Sequence, residues 1–253
     1  MSEQDKICFV SCDVEHDNGS DRAKTFEGIG SMNEVLNIFN RFGISSTLFV
    51  TGDVLERYPD TVRGWSEDHE IGCHSYSHTF FNLLDAPSVR DELERFVHIY
   101  KNIFGISPQG FRSPSHIIDD SSLKAVSNAG FAYDSSVVPH YPMFKRYRGY
   151  RGPAPKVPYH PREFALRRKG DMDILEIPVS GLFLGIPLAG AWIRGLPVIL
   201  YRLLFIFNKP NFITLSMHSW DLLDKRFEVK LIKILEILKN SGYTFKRGDE
   251  ITN

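Results

Sequence analysis

Apolar and polar positions along the chain switch between two periods. Short, nearly continuous apolar runs occur at "KICFVSCDVE" (6–15), "SSTLFVTG" (45–52), "EIGCHS" (70–75), "FAYDSSV" (131–137), "ILEIPVS" (174–180) and "FITLSMHSW" (212–220). Runs of this length, rich in β-branched and aromatic residues, predict buried strands. "QGFRSPS" (109–115) reads as a further strand end. Between the runs the spacing becomes helical. Over 30–43, Met32, Val35, Leu36, Ile38, Phe39 and Phe42 share one face and Gly43 is placed to stop the helix. Over 85–105, Val89, Leu93, Phe96, Val97, Tyr100 and Phe104 do the same, with Gly105 as the stop. Shorter helices are predicted over 58–69 and 119–130. An amphipathic helix over 226–242 is followed by a last strand, "YTFKRGDEI". Strands alternating with helices predict an α/β protein with a parallel sheet, open or closed into a barrel.

No repeat, coiled coil or low-complexity tract interrupts this alternation. The 253 residues, 42% of them hydrophobic, suffice for a sizeable core and read as one domain over 1–253. The Pro-, Arg- and Tyr-rich stretch 139–170 is the candidate loop-rich, lid-like insertion. A net charge of −1 gives no reason to expect a nucleic-acid partner. Cys8, Cys12 and Cys73 have no paired spacing and suggest no disulfide framework. The N-terminal stretch has no basic start followed by a long apolar run, so no secretory signal is read there and cytoplasmic residence is the expectation. "GLPVILYRLLFIF" (195–207) is almost wholly apolar apart from Arg202. It falls short of the roughly 20 residues that a spanning helix needs. It reads either as a buried amphipathic helix or as a surface that makes peripheral contact with a membrane or a lipid-linked substrate.

The chemistry gathers where strands should end, which is where parallel α/β proteins place their sites. Asp13 and Glu15, His74 and His78, Arg112, Asp134, and His218 all fall at such ends. In "GCHSYSHTFF" (72–81) the two histidines stand four apart, able to grip one ion from a single turn. A carboxylate with two histidines is a ligand set for Zn²⁺ that leaves positions open for water and substrate, as in metal hydrolases. Each residue has a plainer reading. A His-x-x-x-His arises by chance, Asp13 and Glu15 suit a helix cap, and Arg112 suits a surface ion pair. Asp134 suits a turn, and His218 beside Trp220 suits a hydrogen-bonded core. The conjunction of all five strand ends favours the site.

In that order, "SCDVEHD", "HSYSH", "FRSPS", "YDSS" and "LSMHSWD" resemble the five motifs of the polysaccharide deacetylases, the NodB-homology carbohydrate esterases, over roughly residues 7 to 221. The apolar stretch 190–208 also resembles a subgroup acting in polysaccharide or lipid-linked sugar biosynthesis. The resemblance implies a single-domain distorted (β/α) barrel and a metal-dependent hydrolase that removes N-acetyl groups from amino sugars of a glycan or glycan precursor, nucleotide- or lipid-linked, releasing acetate. It implies Glu15, His74 and His78 as ligands of a divalent metal, Zn²⁺ before Co²⁺ or Mn²⁺, and Asp13 as general base paired with Arg112. It further implies His218 as general acid held by Asp134, and the Ser113 N–H as oxyanion donor. Tyr76 and Trp220, with Phe80 and Phe111, are candidates to line the sugar pocket. Where many members carry adjacent aspartates, this chain has Asp13-Val14-Glu15. Residues i and i+2 of a strand share a face, so both acids can reach one site. Asp17 is the rival for the acidic ligand. The alternatives are a metal-independent or other C–N hydrolase acting on a ureide- or formamide-type amide, and a non-catalytic sugar-binding relative.

Overall fold

The structure is a computed structural model that describes residues 6–18, 24–141, 152–182 and 185–252. Its elements, in chain order, are β1 (Lys6–Val14), α1 (Glu27–Phe42), β2 (Thr47–Val50), α2 (Gly52–Arg57), α3 (Pro59–Trp65), β3 (Glu70–Cys73), α4 (Ala86–Phe104), β4 (Gly110–Phe111), α5 (Asp120–Asn128), β5 (Tyr133–Asp134), β6 (Pro161–Arg162), β7 (Ala165–Lys169), β8 (Leu175–Glu176), β9 (Leu188–Ala189), α6 (Gly190–Gly195), α7 (Val198–Phe207), β10 (Phe212–His218), α8 (Lys225–Asn240), β11 (Tyr243–Lys246) and α9 (Asp249–Thr252). The strands of the main sheet run in the order β8-β5-β4-β3-β2-β1-β10-β9, with β11 also on β1, and all pairings are parallel.

Strand alternation divides the side chains of this sheet between two cores. On β1, Cys8, Val10, Cys12 and Val14 face the helices, in one large cluster with Met32, Val35 and Phe39 of α1 and Leu231, Ile234 and Leu235 of α8. The intervening residue Phe9 packs inside the curl of the sheet with Phe49, Tyr133, Ile177 and Phe212. The sheet rolls far enough for its two sides to meet. Beyond β8, Val179 N–H donates to Val137 O at 2.8 Å, while Thr214 N–H of β10 donates to Ser180 O at 3.1 Å. The result is the distorted barrel expected, with helices outside and strand C-termini at one rim.

The helix ends follow ordinary local chemistry. Asp85 caps α4 by accepting Ser88 N–H at 3.0 Å, and Gly105 leaves it at φ 74°, a conformation that costs glycine little. Phe26, at the N-cap of α1, has no oxygen to offer. Asp17 does the work from upstream, accepting the N–H groups of Glu27 at 2.7 Å and Gly28 at 2.8 Å.

Three expectations change. The segment 139–170 holds a two-stranded antiparallel hairpin, β6–β7, so it is not all loop; its residues 142–151 lie outside the described ones. The strand expected over 243–251 gives way after Lys246 to the short helix α9. The apolar stretch 195–207 is not wholly buried: Val198–Phe207 form α7, with Tyr201, Leu204 and Phe205 buried and Ile199, Leu203, Ile206 and Phe207 exposed. Among the described residues no helix is long and apolar enough to cross a membrane.

Candidate metal and catalytic site

Glu15, His74 and His78 meet at the rim. Each offers one ligand atom, and the three atoms lie within 4.8 Å of one another. Glu15 Oε2 is 3.3 Å from His74 Nε2 and 2.5 Å from His78 Nε2. His74 Nδ1–H donates to the Arg112 carbonyl at 2.8 Å, which fixes the ring and turns Nε2 toward the cluster. A backbone acceptor behind a histidine is the usual outer support of a metal ligand. Trp220 Nε1–H donates to the other Glu15 oxygen at 3.2 Å. Burial alone would raise the Glu15 carboxyl, but the histidines against it outweigh that and hold it well below the usual carboxylate range. One carboxylate oxygen and two imidazole nitrogens, mostly buried and pre-turned, fit a divalent cation.

The loop carrying the histidines is strained. Ser75 and His78 both have positive φ, 59° and 64°, a costly conformation for residues with side chains. Glu92 of α4 holds it in place. Its carboxylate accepts Tyr76 N–H at 3.0 Å, Ser77 N–H at 2.8 Å and the Ser77 hydroxyl at 2.7 Å. Nothing in the sequence singles out Glu92, which sits among charged residues on the polar side of an amphipathic helix.

Beside the cluster lies a second set of polar groups. In the β1–β10 ladder Asp13 is the register partner of His218, so the two side chains stand next to each other on the inner face. Arg112 is fully buried. Its guanidinium donates to Asp13 Oδ1 and Ser11 Oγ, both at 2.8 Å, and to Ser135 O and Oγ, both at 2.9 Å, with Phe49 against its face at 4.3 Å. Burial pushes the Asp13 carboxyl up, but Arg112 foremost, then His74 and His218, bring it below its ordinary value. Asp13 is therefore an ionised carboxylate in a dry site. Burial lowers the His218 imidazole below its ordinary value despite the pull of Glu15 and Asp13.

The carboxylate against His218 is Asp221, not Asp134. Asp221 Oδ2 lies 3.2 Å from His218 Nδ1 and accepts His218 N–H at 2.8 Å, closing the short turn after β10. Arg194 of α6 pairs with the same carboxylate, and His218 stacks on Trp220 with ring centroids 4.3 Å apart. Alternation explains why Asp134 is elsewhere. Its neighbours Tyr133 and Ser135 face the barrel interior, so Asp134 faces outward, paired across the ladder with Glu176 and accepting the Ser136 hydroxyl at 2.6 Å. Burial first, then mutual proximity, pushes the Glu176 carboxyl well up. The signal for Asp221 was present in "HSWD", three residues past the histidine, a spacing that closes a turn.

Three other expectations are corrected. Ser113 N–H is already committed to Ser136 Oγ at 2.8 Å and is not available to an oxyanion. Tyr76 does not line the pocket. Its ring packs on Gly52, where a Cβ would come within 2.2 Å, and under the Arg95 guanidinium at 3.7 Å, while its hydroxyl donates to Glu56. Phe111 likewise belongs to the helix-side core, stacked on Phe81. The cavity beside His218, about 390 Å³, is walled by Phe80, His116, Val138, Tyr141, Trp192 and their neighbours. Sequence reasoning missed His116. It follows Ser115, and both have positive φ, 53° and 56°. Burial and then Arg112 push its imidazole down to about 3, so it is neutral at ordinary pH.

The polysaccharide deacetylase family model matches residues 20–133, a span that takes in His74, His78 and Arg112 but stops short of His218. The peptidoglycan deacetylase-like protein FGM2 of Gibberella zeae is 31% identical over 121 residues, 47% of this chain and 36% of that protein. The chain thus spans little more than a third of that relative's length. A putative polysaccharide deacetylase from Mycobacterium smegmatis has the same fold, with TM-score 0.71 at 20% identity over 100% of this chain and 91% of that one. So does PuuE allantoinase, with TM-score 0.69 at 15% identity over 100% and 91%. Domain match, curated relatives and fold support the resemblance read from the motifs, that to the NodB-homology polysaccharide deacetylases, with the family model itself covering residues 20–133.

Proposed function

We propose that this protein is a metal-dependent deacetylase of N-acetylated amino sugars. The observation that carries the reading is the juxtaposition of the Glu15–His74–His78 cluster with the Asp13–His218 pair on one barrel rim. Asp17 is bound to the start of α1 through Glu27 and Gly28, which favours Glu15 as the acidic ligand. A divalent cation held by Glu15, His74 and His78 would supply Lewis acidity toward an amide carbonyl and toward a water. Zn²⁺ suits the donor set, and Co²⁺ or Mn²⁺ also bind such sets.

The chain's own residues supply the rest. Asp13, kept ionised by Arg112, accepts the proton of the attacking water. The oxyanion that follows needs a main-chain donor. Within 113–116, Ser113 and His116 already donate to Ser136 Oγ and Ser113 O, and Pro114 has no N–H. Ser115, on the cavity wall, is the remaining candidate. His218, oriented by Asp221, protonates the departing nitrogen. Acetate and a free amine are the products. Phe80, Tyr141 and Trp192 give the cavity aromatic walls suited to the apolar faces of a sugar ring.

An allantoinase has this fold, yet the complete Glu15–His74–His78 cluster favours the deacetylase reading over a metal-independent one. For the carrier we favour a nucleotide- or lipid-linked precursor handled in the cytoplasm. The test is acetate release from N-acetylhexosamine presented as a free oligomer, a nucleotide diphosphate ester and a polyprenyl diphosphate ester. The reading expects release from at least one ester at a rate above the oligomer. Release from the oligomer alone would reject the precursor assignment, and release from none would reject the deacetylase.

A further inference from the structure

Helix α7 is apolar apart from Arg202, an arrangement that belongs in a core or against lipid. Here only one side reaches the core, through Tyr201, Leu204 and Phe205. The other presents Ile199, Leu203, Ile206 and Phe207, which are 59%, 45%, 68% and 83% exposed. Positions i, i+4, i+7 and i+8 form one stripe along the helix. Four large aliphatic or aromatic side chains in a row on the surface are an interaction face.

The charge around the stripe says what kind. From residue 177 to residue 220 the chain has no Asp or Glu, and its charged residues are Arg194, Arg202 and Lys209. Arg202 and Lys209 line a groove of about 340 Å³ between α7 and α8 with Asn240 and Ser241; Glu236, also in that wall, is its acidic member. Cations at the edge of an apolar stripe match an anionic bilayer, whose headgroups meet the cations while the acyl region takes the stripe. The face is also firmly based. Lys230 of α8 donates to the carbonyls of Ile193, Arg194 and Leu196, at 3.1, 2.7 and 3.0 Å, pinning the elbow from which α7 departs.

We propose that the exposed face of α7 docks the protein on an anionic membrane surface, lying in the interface without crossing it. The docked helix follows directly on α6, whose Ala191 and Trp192 wall the cavity beside His218 and whose Arg194 holds Asp221. Docking would therefore hold the helix pair, of which α6 walls the cavity, at the membrane surface. The docking stands on the surface of α7 and does not depend on the deacetylase reading.

The test is co-sedimentation of the full chain with vesicles of phosphatidylcholine alone or mixed with phosphatidylglycerol, in chelator so that no turnover intervenes. The expected result is binding to the mixed vesicles that weakens with salt. The double variant Ile206→Ser/Phe207→Ser should lose about tenfold or more in partitioning, and Arg202→Gln/Lys209→Gln should lose the preference for phosphatidylglycerol. All these positions are exposed, and circular dichroism checks that each variant folds. Equal partitioning of wild type and the serine variant would overturn the proposal. So would a wild type that ignores vesicles but sediments as a dimer that the serine variant breaks, since the face would then belong to a second copy. Acetate release is assayed separately, so its failure would leave the docking result standing.

Discussion

At the scale of single residues, the proposed proton chemistry and the proposed ligand chemistry stand one same-face strand position apart on the rim of the barrel. Asp13 and Glu15 share the inner face of β1 and its extension, two residues apart. Arg112 bonds the first, and His74 and His78 contact the second. Arg112 is the cation that holds the Asp13 carboxyl below its ordinary value, as the proposed base requires. Asp13→Asn and His218→Ala should each lower kcat by about 10²–10⁴ with circular dichroism unchanged. Asp221→Asn isolates the positioning role. It should lower kcat by about 10-fold to 100-fold, by analogy with the loss of an outer partner of a functional histidine, while leaving KM for the acetylated sugar nearly as it was. Steady-state kinetics on the three variants, with metal content measured in each, checks this order. An Asp221→Asn enzyme as active as wild type would return His218 to an unsupported role. Arg112→Met should instead destabilise the fold by about 3–5 kcal/mol in urea unfolding, because it leaves the buried Asp13 charge without its partner.

At the scale of elements, the histidine loop depends on a helix that touches no ligand atom. Glu92 of α4 takes two main-chain N–H groups and one hydroxyl from residues 76 and 77, between the two histidines and against the strain at Ser75 and His78. Glu92→Ala should weaken metal affinity by about 10-fold to 100-fold, the range for lost outer support of ligands, with little change in melting temperature; titration with a metal-sensitive dye reads the first and calorimetry the second. These elements also show what the sequence disclosed. Apolar period placed β1, β2, β3, β10, α1, α4 and α8, because each buries a full face. The short strands β4 and β5, two residues each, were visible chiefly through the polar residues that follow them. What stayed hidden was orientation. Asp134 sits at a strand end, as the motif order suggested, yet the alternation through Tyr133 and Ser135 turns it outward, and Asp221 takes the place against His218. Likewise nothing in "SPSH" discloses that His116 reaches the cavity wall, since its position there follows from two successive positive-φ residues and not from a pattern.

At the scale of the whole molecule, the two ends of the barrel are built for different purposes. The strand C-termini carry the candidate site. The opposite end is closed by Glu70, whose Oε2 accepts from Thr47 of β2 at 2.6 Å, Tyr133 of β5 at 2.8 Å and the Asp249 N–H of α9 at 3.1 Å. Burial, with Asp249 adding to it, raises the Glu70 carboxyl to about 7. A carboxyl whose folded value lies above its unfolded value of 4.5 binds more protons folded than unfolded between the two. Stability therefore falls as pH rises from about 4.5 to about 7, by up to about 3 kcal/mol. Glu70→Gln should flatten that slope and be more stable than wild type at pH 8 in urea unfolding; a variant with the same slope would remove Glu70 as its source. The central claim concerns the other end: a metal held by Glu15, His74 and His78 is needed for amide hydrolysis by Asp13 and His218. It is tested most directly by stripping the protein with a chelator and titrating one divalent cation back while following acetate release from the acetylated sugar ester. The account predicts no release when stripped and full recovery at one equivalent of metal, with neither binding nor recovery in His78→Ala. Full activity in the stripped protein would contradict it.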